Sequence, residues 1–537
     1  MNLNDHDLRQ IDESYLDSLS KKALQEVSKK LCHDLKVARA RLNQTPDNSS
    51  RPPSTREPWK QSTTPEQDAA VNNNNTDDDE ATDSPSTDMG EGKDVSTTDS
   101  NHSGKPVADT EPSDEQQRKK PGKQKGAQGY GRKVELAITH EAHHKPTCCA
   151  ACNQTFADKT EFTAWNGRYE LELEPSEGGL AGLRVQHIKH TYYRATCQCG
   201  HETRAEPGRC EAEPDWSVSL TEWHLCGPLL VSLIVCLSKD LRVSRPKISR
   251  FIWEWFGIHL SVGVINQCIH EAGRAVEPVV QEQLIPELLK SKLLYIDETP
   301  WKQAKLMLWL WVFVSNTTVV FGMGKRNRTM LLSVLGEEFE GILMSDGLSA
   351  YRDSPNRLRC WAHLIRKARG LAQDLDKEAQ EFGENVLVAL YLLMRNIYHL
   401  RDGPPDSEVT ATCRHNLILC EMLRQVCELY KEHEHEATRS LAREFLNDWD
   451  AIVRVVGEPD LPLTNNDAER ALRPWVILRK ITFGTRNAQG TRVVALLASV
   501  IATCRVRSLN PWCYMAEVIK QRRKGLLAPV MPLPVAF

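Results

Sequence analysis

Three absences narrow the class of this chain before any motif is considered. No apolar run is long enough to span a bilayer. The longest, Gly227 to Leu237, has 11 residues, against the roughly 20 that a crossing helix needs. The opening Met1-Asn-Leu-Asn-Asp-His-Asp7 is polar, so a secretory leader is not expected and a cytoplasmic location is. A disulfide framework is not expected either, because the 16 cysteines come with no export signal. Most of them, such as Cys226, Cys236, Cys268 and Cys420, sit among apolar neighbours as small core residues. The third absence is strong net charge, since the formal total is only −4. That average hides two regions. Residues 65–115 hold 15 acids against 2 bases, and the remainder is left at +9. Acids in turn are nearly missing from 468–524, where 12 Lys and Arg face only Glu469 and Glu517. Such a balance suits a polyanion as partner.

At 537 residues the chain exceeds one core, and a multidomain α/β protein is expected. Residues 1–45 read as a helix with coiled-coil character, from Leu24, Val27, Leu31, Leu35 and Leu42. Residues 46–117 read as a disordered acidic linker, since Asn, Asp, Ser and Pro runs cannot bury a core. Composition then flips in the basic arm 118–145. Arg118 to Lys133 carries seven bases, no acid and five glycines or prolines. Lys119, Lys120 and Lys123 are its candidate phosphate contacts. Residues 213–290 should form a helical DNA-binding domain, with helices over Leu220–Leu237, Pro246–Phe256 and Val262–Val276. The last two resemble a helix-turn-helix in outline.

Between those regions, over 146–212, lie Cys149-x-x-Cys152 and Cys197-x-Cys199, separated by strand-like alternation. Two cysteine pairs at the ends of a β-hairpin make a zinc-ribbon-like module, because thiolates in short turns can close a tetrahedral site. The second pair is one residue shorter than usual, and Cys148, His201 and Cys210 compete as ligands.

Further on, two apolar runs each deliver an aspartate. Leu293-Leu-Tyr-Ile296 reads as a buried strand ending at Asp297, stopped soon after by Pro300. Ile342-Leu-Met-Ser345 does the same for Asp346. A hairpin (Leu306–Ser315 and Thr317–Gly322) and a short helix (Thr329–Leu335) lie between them. A late helix opens with Asn465-Asn-Asp-Ala-Glu469. Two strand-end aspartates and one helical glutamate suit two-metal phosphoryl transfer, in which hard oxygens hold two Mg²⁺ or Mn²⁺ ions about 3.5–4 Å apart. Asp467 and Glu469 lie roughly 200° apart around a helix, so only one can serve. Thr464-x-x-Asp467 reads as a capping box, which leaves Glu469 as the ligand. Asn465, Arg470, Arg473, Arg479 and Lys480 are the expected DNA contacts around it. The order of elements over 291–480 is that of an RNase H-like catalytic domain with a helical insertion at 361–461, followed by a basic region 481–537.

Tyr295-Ile-Asp-Glu-Thr-Pro-Trp301, Met344-Ser-Asp-Gly-Leu-Ser-Ala-Tyr351, Cys360-Trp-Ala-His363 and Asn465-Asn-Asp-Ala-Glu-Arg-Ala-Leu-Arg-Pro474 resemble motifs of bacterial transposases of the insertion-sequence-66 family. Asn48-Ser-Ser-Arg-Pro-Pro-Ser54 and the cysteine pairs are similar to that family's N-terminal segments. The Cys-x-Cys spacing departs from the family pattern and leaves the zinc ligand set open. The resemblance implies a DD-E transposase in which Asp297, Asp346 and Glu469 hold two divalent metals, while the hairpin-end cysteines Cys149, Cys152, Cys197 and Cys199 are the candidate ligands of structural zinc. It implies cleavage at the element's ends and strand transfer into target DNA. Its partners would be double-stranded DNA at the nucleoid and further copies of the chain, with accessory proteins left open. The rival readings are a zinc-dependent DNA-binding protein without catalysis, and an RNase H-like nuclease that cuts without joining.

Overall fold

The structure is a computed structural model that describes residues 19–42, 137–175 and 181–534. The expected acidic linker, residues 118–136 of the basic arm with Lys119, Lys120 and Lys123, and positions 1–18 of the N-terminal helix lie outside the described residues. Within them, helix α1 spans Lys21–Leu42.

A long antiparallel hairpin of β2 (Thr163–Pro175) and β3 (Ala181–Thr196) follows. The other edge of β3 holds β1 (His140–His144) in parallel and β4 (Glu202–Arg204) antiparallel. Alternation buries Leu171 and Leu173 on one face. The hairpin is also tied to the next segment. Leu171 N donates to Leu225 O, and Gly227 N donates to Leu171 O, both at 2.7 Å. The expected helix Leu220–Leu237 is therefore shorter. Residues 225–227 are spent on the hairpin, and helix α2 runs only over Pro228–Val235, with proline in its first turn. Wider π-type turns carry it on through Cys236–Asp240. The Glu172 carboxylate accepts from Leu230 N at 3.0 Å and Leu229 N at 3.2 Å, filling the donors at the start of α2. Gly227 leaves it room, since a Cβ there would lie 2.5 Å from that carboxylate.

Helix α3 (Arg245–Phe256) and helix α4 (Val262–Pro278) match the expected pair, with Ser261 Oγ capping α4 at Val264 N. The middle of α4 is buried all round, including Glu271 and Arg274. Its middle belongs to the core, and the exposed positions lie in its first turns, at Val262, Gly263 and Gln267. A single turn, α5 (Ile285–Leu288), leads into the sheet.

Five strands form that sheet: β5 (Leu293–Gln303), β6 (Leu306–Val314), β7 (Val319–Gly324), β8 (Ile342–Ser345) and β9 (Arg357–Arg359). Their order is β7-β6-β5-β8-β9; β5, β6 and β7 are antiparallel neighbours, and β8 and β9 run parallel to β5. Pro300 does not stop β5, which continues to Gln303 with Pro300 opposite Trp309. The reason is local. Strand β8 pairs only with Leu293–Tyr295, so Pro300 stands where β5 has no neighbour on that side to receive an N–H. Helix α6 (Arg328–Leu335) connects β7 to β8.

Helices α7 (Trp361–Ala372), α8 (Lys377–Arg401), α9 (Asp406–Tyr430), α10 (Glu436–Asn447) and α11 (Trp449–Gly457) fill the region of the expected insertion. They bury a core of their own around Trp361, Phe382, Leu390 and Phe445. Arg359 on β9 anchors them through ion pairs to Asp448 and Glu444, and Arg357 donates to Asp448 at 3.0 Å.

Three helices close the chain: α12 (Asn466–Thr482), α13 (Ala488–Val506) and α14 (Pro511–Arg523). Helix α13 covers the open edge of β7 with hydroxyls. Thr503 Oγ1 accepts from Val319 N at 3.0 Å and donates to Val319 O at 2.9 Å, while Ser499 Oγ accepts from Phe321 N at 2.8 Å. By length and composition α13 could cross a membrane, but two thirds of it is buried in protein. The main core takes residues from Leu171 to Met531, so the hairpin, helices, sheet and C-terminal helices share one interior.

Candidate active site

The register of the sheet brings the two aspartates together. Tyr295 on β5 pairs with Met344 on the parallel strand β8. Asp297 lies two residues further along β5, and Asp346 is the first residue beyond the end of β8. Asp297 Oδ1 accepts from Glu298 N at 2.9 Å. Asp346 folds its carboxylate back onto Leu348 N at 2.9 Å, an Asx turn just beyond the strand. The glycine after it is required by space, because a Cβ at Gly347 would lie 2.8 Å from both Arg359 Nη2 and Glu444 Oε1.

Asn465 brings the third acid. Its side chain is 1% exposed, and Nδ2 donates to Ile296 O at 2.7 Å, one residue before Asp297. The first turn of α12 is thereby held against β5. Glu469, one turn in, accepts from Arg366 Nη2 at 3.4 Å and lies 4.0 Å from His363 Nε2. Burial, then the carboxylates of Glu298, Asp346 and Glu469, push the Asp297 carboxyl well above the usual range. His363 is driven the other way, to about 3, by burial and by Arg366, Lys367 and Arg359. It is neutral, and its Nδ1 is buried without a hydrogen-bond partner.

The two neighbouring acids are engaged elsewhere. Glu298 points to the opposite face, where Tyr351 Oη donates at 2.6 Å and Arg326 Nε at 2.9 Å. Asp467 pairs with Arg470 on the far side of α12 and, after burial, helps push the Tyr295 hydroxyl up. The expected capping box is not formed: α12 starts at Asn465 with no side-chain cap, because Asn465 is bonded to β5. Of the expected DNA contacts, Arg470, Arg473 and Lys480 are exposed. Arg479 folds back, donating to Thr299 Oγ1 at 2.9 Å and Pro300 O at 2.6 Å, and buried Asn465 faces the strand.

Sequence reasoning missed the cleft beside Asp346. It measures about 720 Å³ and is walled by Arg352, His363 and Lys367 on one side and by Arg439 and Arg443 of α10 on the other. The two arginines at i,i+4 were legible. That α10 folds back over the Asp346 turn was not.

The second cluster is made of thiols. Cys149 Sγ lies 3.6 Å from Cys199 Sγ, Cys152 Sγ lies 3.6 Å from Cys197 Sγ, and all four sulfurs fall within 4.8 Å of one another. Four Zn–S bonds of about 2.3 Å in a tetrahedron place sulfurs about 3.8 Å apart. The cluster could hold a metal such as zinc. Backbone amides of Cys152 and Ala151 aimed at Cys149 pull its thiol down to about 6. The competing candidates stand outside this group.

Comparison with known proteins then places the chain. Residues 227–493 match the model of the Transposase IS66 family, a span that takes in all three acids and the helical insertion. The chain belongs to the IS66 transposase family. Three curated relatives come from Sinorhizobium fredii (strain NBRC 101917 / NGR234), each described as an uncharacterized protein. The protein y4qI is 21% identical over 300 residues, which are 50% of this chain and 54% of that protein. The protein y4jD is 24% identical over 200 residues, 35% and 39% of the two chains. The protein y4jO is 25% identical over 199 residues, 36% and 57%. This IS66-family chain spans about half the length of the curated relatives it matches.

Proposed function

We propose that this chain is a DD-E transposase that binds the ends of an insertion sequence, cuts a phosphodiester there and joins the freed 3′-hydroxyl to target DNA. The observation that supports this reading is that the β5–β8 pairing and the Asn465 bond to β5 bring Asp346 and Glu469 near enough to Asp297 for their carboxylates to raise the pKa of its own. The sheet order, with the first three strands antiparallel and two more parallel to the first, supports an RNase H-like core for residues 291–480.

The donor set suits two Mg²⁺ or Mn²⁺ ions. Among the described residues only the four thiols bring three or more ligand atoms within 4.8 Å of one another, so the three hard carboxylates would have to draw closer around the ions. Asp297 is already strained by its like-charged neighbours Asp346 and Glu469, an arrangement that divalent cations offset. Asp297, Asp346 and Glu469 would hold them, and bound there they would supply activation of the attacking oxygen and charge neutralisation at the leaving one. The Arg366 guanidinium holds Glu469 in place from the side of α7, with neutral His363 4.0 Å away. Arg470, Arg473 and Lys480 offer the outer face of α12 to a phosphate backbone. The four thiols would carry structural zinc, fixing the outer end of the β2–β3 hairpin. Double-stranded DNA is the partner, and further copies of the chain would assemble on it.

Asp297→Ala and Asp346→Ala test this reading on a duplex ending in the terminal repeat that flanks the gene. Cleavage with Mg²⁺ should vanish while binding to the duplex stays nearly intact. Unchanged cleavage, or loss of binding in both folded variants, would replace it with a non-catalytic DNA-binding role.

A further inference from the structure

The exposed face of α12 carries one stripe from the acids to the helix's end: Glu469, Arg473, Ile477, Lys480 and Ile481, at steps of three or four residues. The stripe runs out at Phe483, whose ring is 82% exposed and whose backbone is left-handed, at φ 58° and ψ 24°. Glycine is the usual occupant of that position, and a bulky residue there is a true backbone outlier. The chain thus accepts a strained conformation and leaves a large apolar ring in water, with no packing in return. Strain held in this way gathers at sites of function.

The surroundings indicate what the ring meets. The loop after it is bonded to the β5–β6 turn, through Thr485 N to Lys302 O and Ala304 N to Thr485 O, both 2.8 Å. That turn exposes Leu306 and Met307 beside Lys302 and Lys305. No acid occurs from Arg470 to Ala516 or from Thr299 to Gly336. An apolar tip ringed by cations without any carboxylate complements a polyanion that has an apolar interior, which is stacked DNA.

We propose that duplex DNA lies along the α12 stripe and that Phe483 enters it as a wedge, opening one base step. Apolar side chains entering a groove in this way unstack and kink a duplex. Phe483 lies 14 residues beyond Glu469, which at 1.5 Å per residue is about 21 Å, or about six base pairs. The location of the opened step relative to the cut rests on the function proposed above; the wedge itself does not.

The test uses the full chain and terminal-repeat duplexes carrying 2-aminopurine at each position around the sixth base pair from the cut. Wild-type protein should raise the fluorescence severalfold at one of them. Phe483→Leu, which keeps an apolar wedge, should retain the rise. Phe483→Ala should lose it, yet still bind and still cut a duplex with a mismatch built in at that step. An equal rise with Phe483→Ala, or no rise with DNA-bound wild type, overturns the proposal. So does loss of self-association in Phe483→Ala with the rise unchanged, which would make the ring a contact between copies. Unstacking without any cleavage by wild type would instead refute the catalytic reading and leave the wedge standing.

Discussion

The acid cluster and the thiol cluster are built from similar numbers of ligands and behave as opposites. Four sulfurs at the end of the hairpin lie within 4.8 Å of one another, with two of them buried, and leave no position for a substrate. Asp297 on the central strand, Asp346 just beyond the end of β8 and Glu469 on α12 come from separate elements, and a cleft opens beside Asp346. On the proposed reading, the closed site of soft ligands would serve folding and the open site of hard ligands would serve chemistry. The protein stabilises the first with backbone amides aimed at Cys149 and leaves Asp297 among like charges in the second. The contrast predicts opposite responses to ligand loss.

The largest effect is expected at the thiols. Cys149→Ser with Cys152→Ser should release one zinc per chain and unfold residues 146–212 locally, because structural zinc contributes about 10–16 kcal/mol of folding free energy in small modules. Metal analysis and protease mapping of that region would check it, with end recognition falling and a nonspecific nicking activity surviving. In metal-free buffer, Asp297→Asn should do the reverse and raise the thermal midpoint by a few degrees, since it replaces a carboxyl whose charged form is disfavoured by burial and by the carboxylates of Glu298, Asp346 and Glu469. A lower midpoint would remove the distinction between the two sites.

Next in size comes the anchor of the insertion. Asp448→Asn removes the buried carboxylate paired with Arg359 and Arg357, and should destabilise the protein by about 3–5 kcal/mol in a denaturant titration. Near the thiol module, burial pushes Glu172 up to about 7. The folded state then holds that proton more tightly than the unfolded chain. The stability it gives is complete below about pH 4 and is lost as pH rises to about 7, on the order of 3 kcal/mol. Glu172→Gln should flatten that slope relative to wild type in pH-dependent unfolding, and an unchanged slope would assign it to other groups.

Much of this was legible from local signals. The run Leu293–Ile296, the strand Ile342–Ser345 and the hairpin around Asn316 follow from apolar patterning, and the structure places them as expected. The signals failed where a distant neighbour decides. Pro300 reads as a strand end, yet the pairing of β8 stops at Tyr295 and frees the position. Leu220–Leu237 reads as one helix, but Leu171 claims residues 225 to 227 for the hairpin. Asn465 reads as a DNA contact, and a bond to Ile296 O turns it inward. The rigid pairing of Arg359 with Asp448 spans 89 residues, and no local pattern announces it.

The most direct test of the account is a choice between two acids on one helix. Asn465 fixes the rotation of α12, so Glu469 faces Asp297 while Asp467 pairs with Arg470 on the other side. Glu469→Gln keeps size and hydrogen bonding but removes the charge a hard cation requires. Asp467→Asn loses an exposed pair that contributes less than about 1 kcal/mol. In one Mg²⁺-dependent cleavage assay, Glu469→Gln should lose activity by orders of magnitude while Asp467→Asn remains close to wild type. An active Glu469→Gln beside an inactive Asp467→Asn would contradict the account.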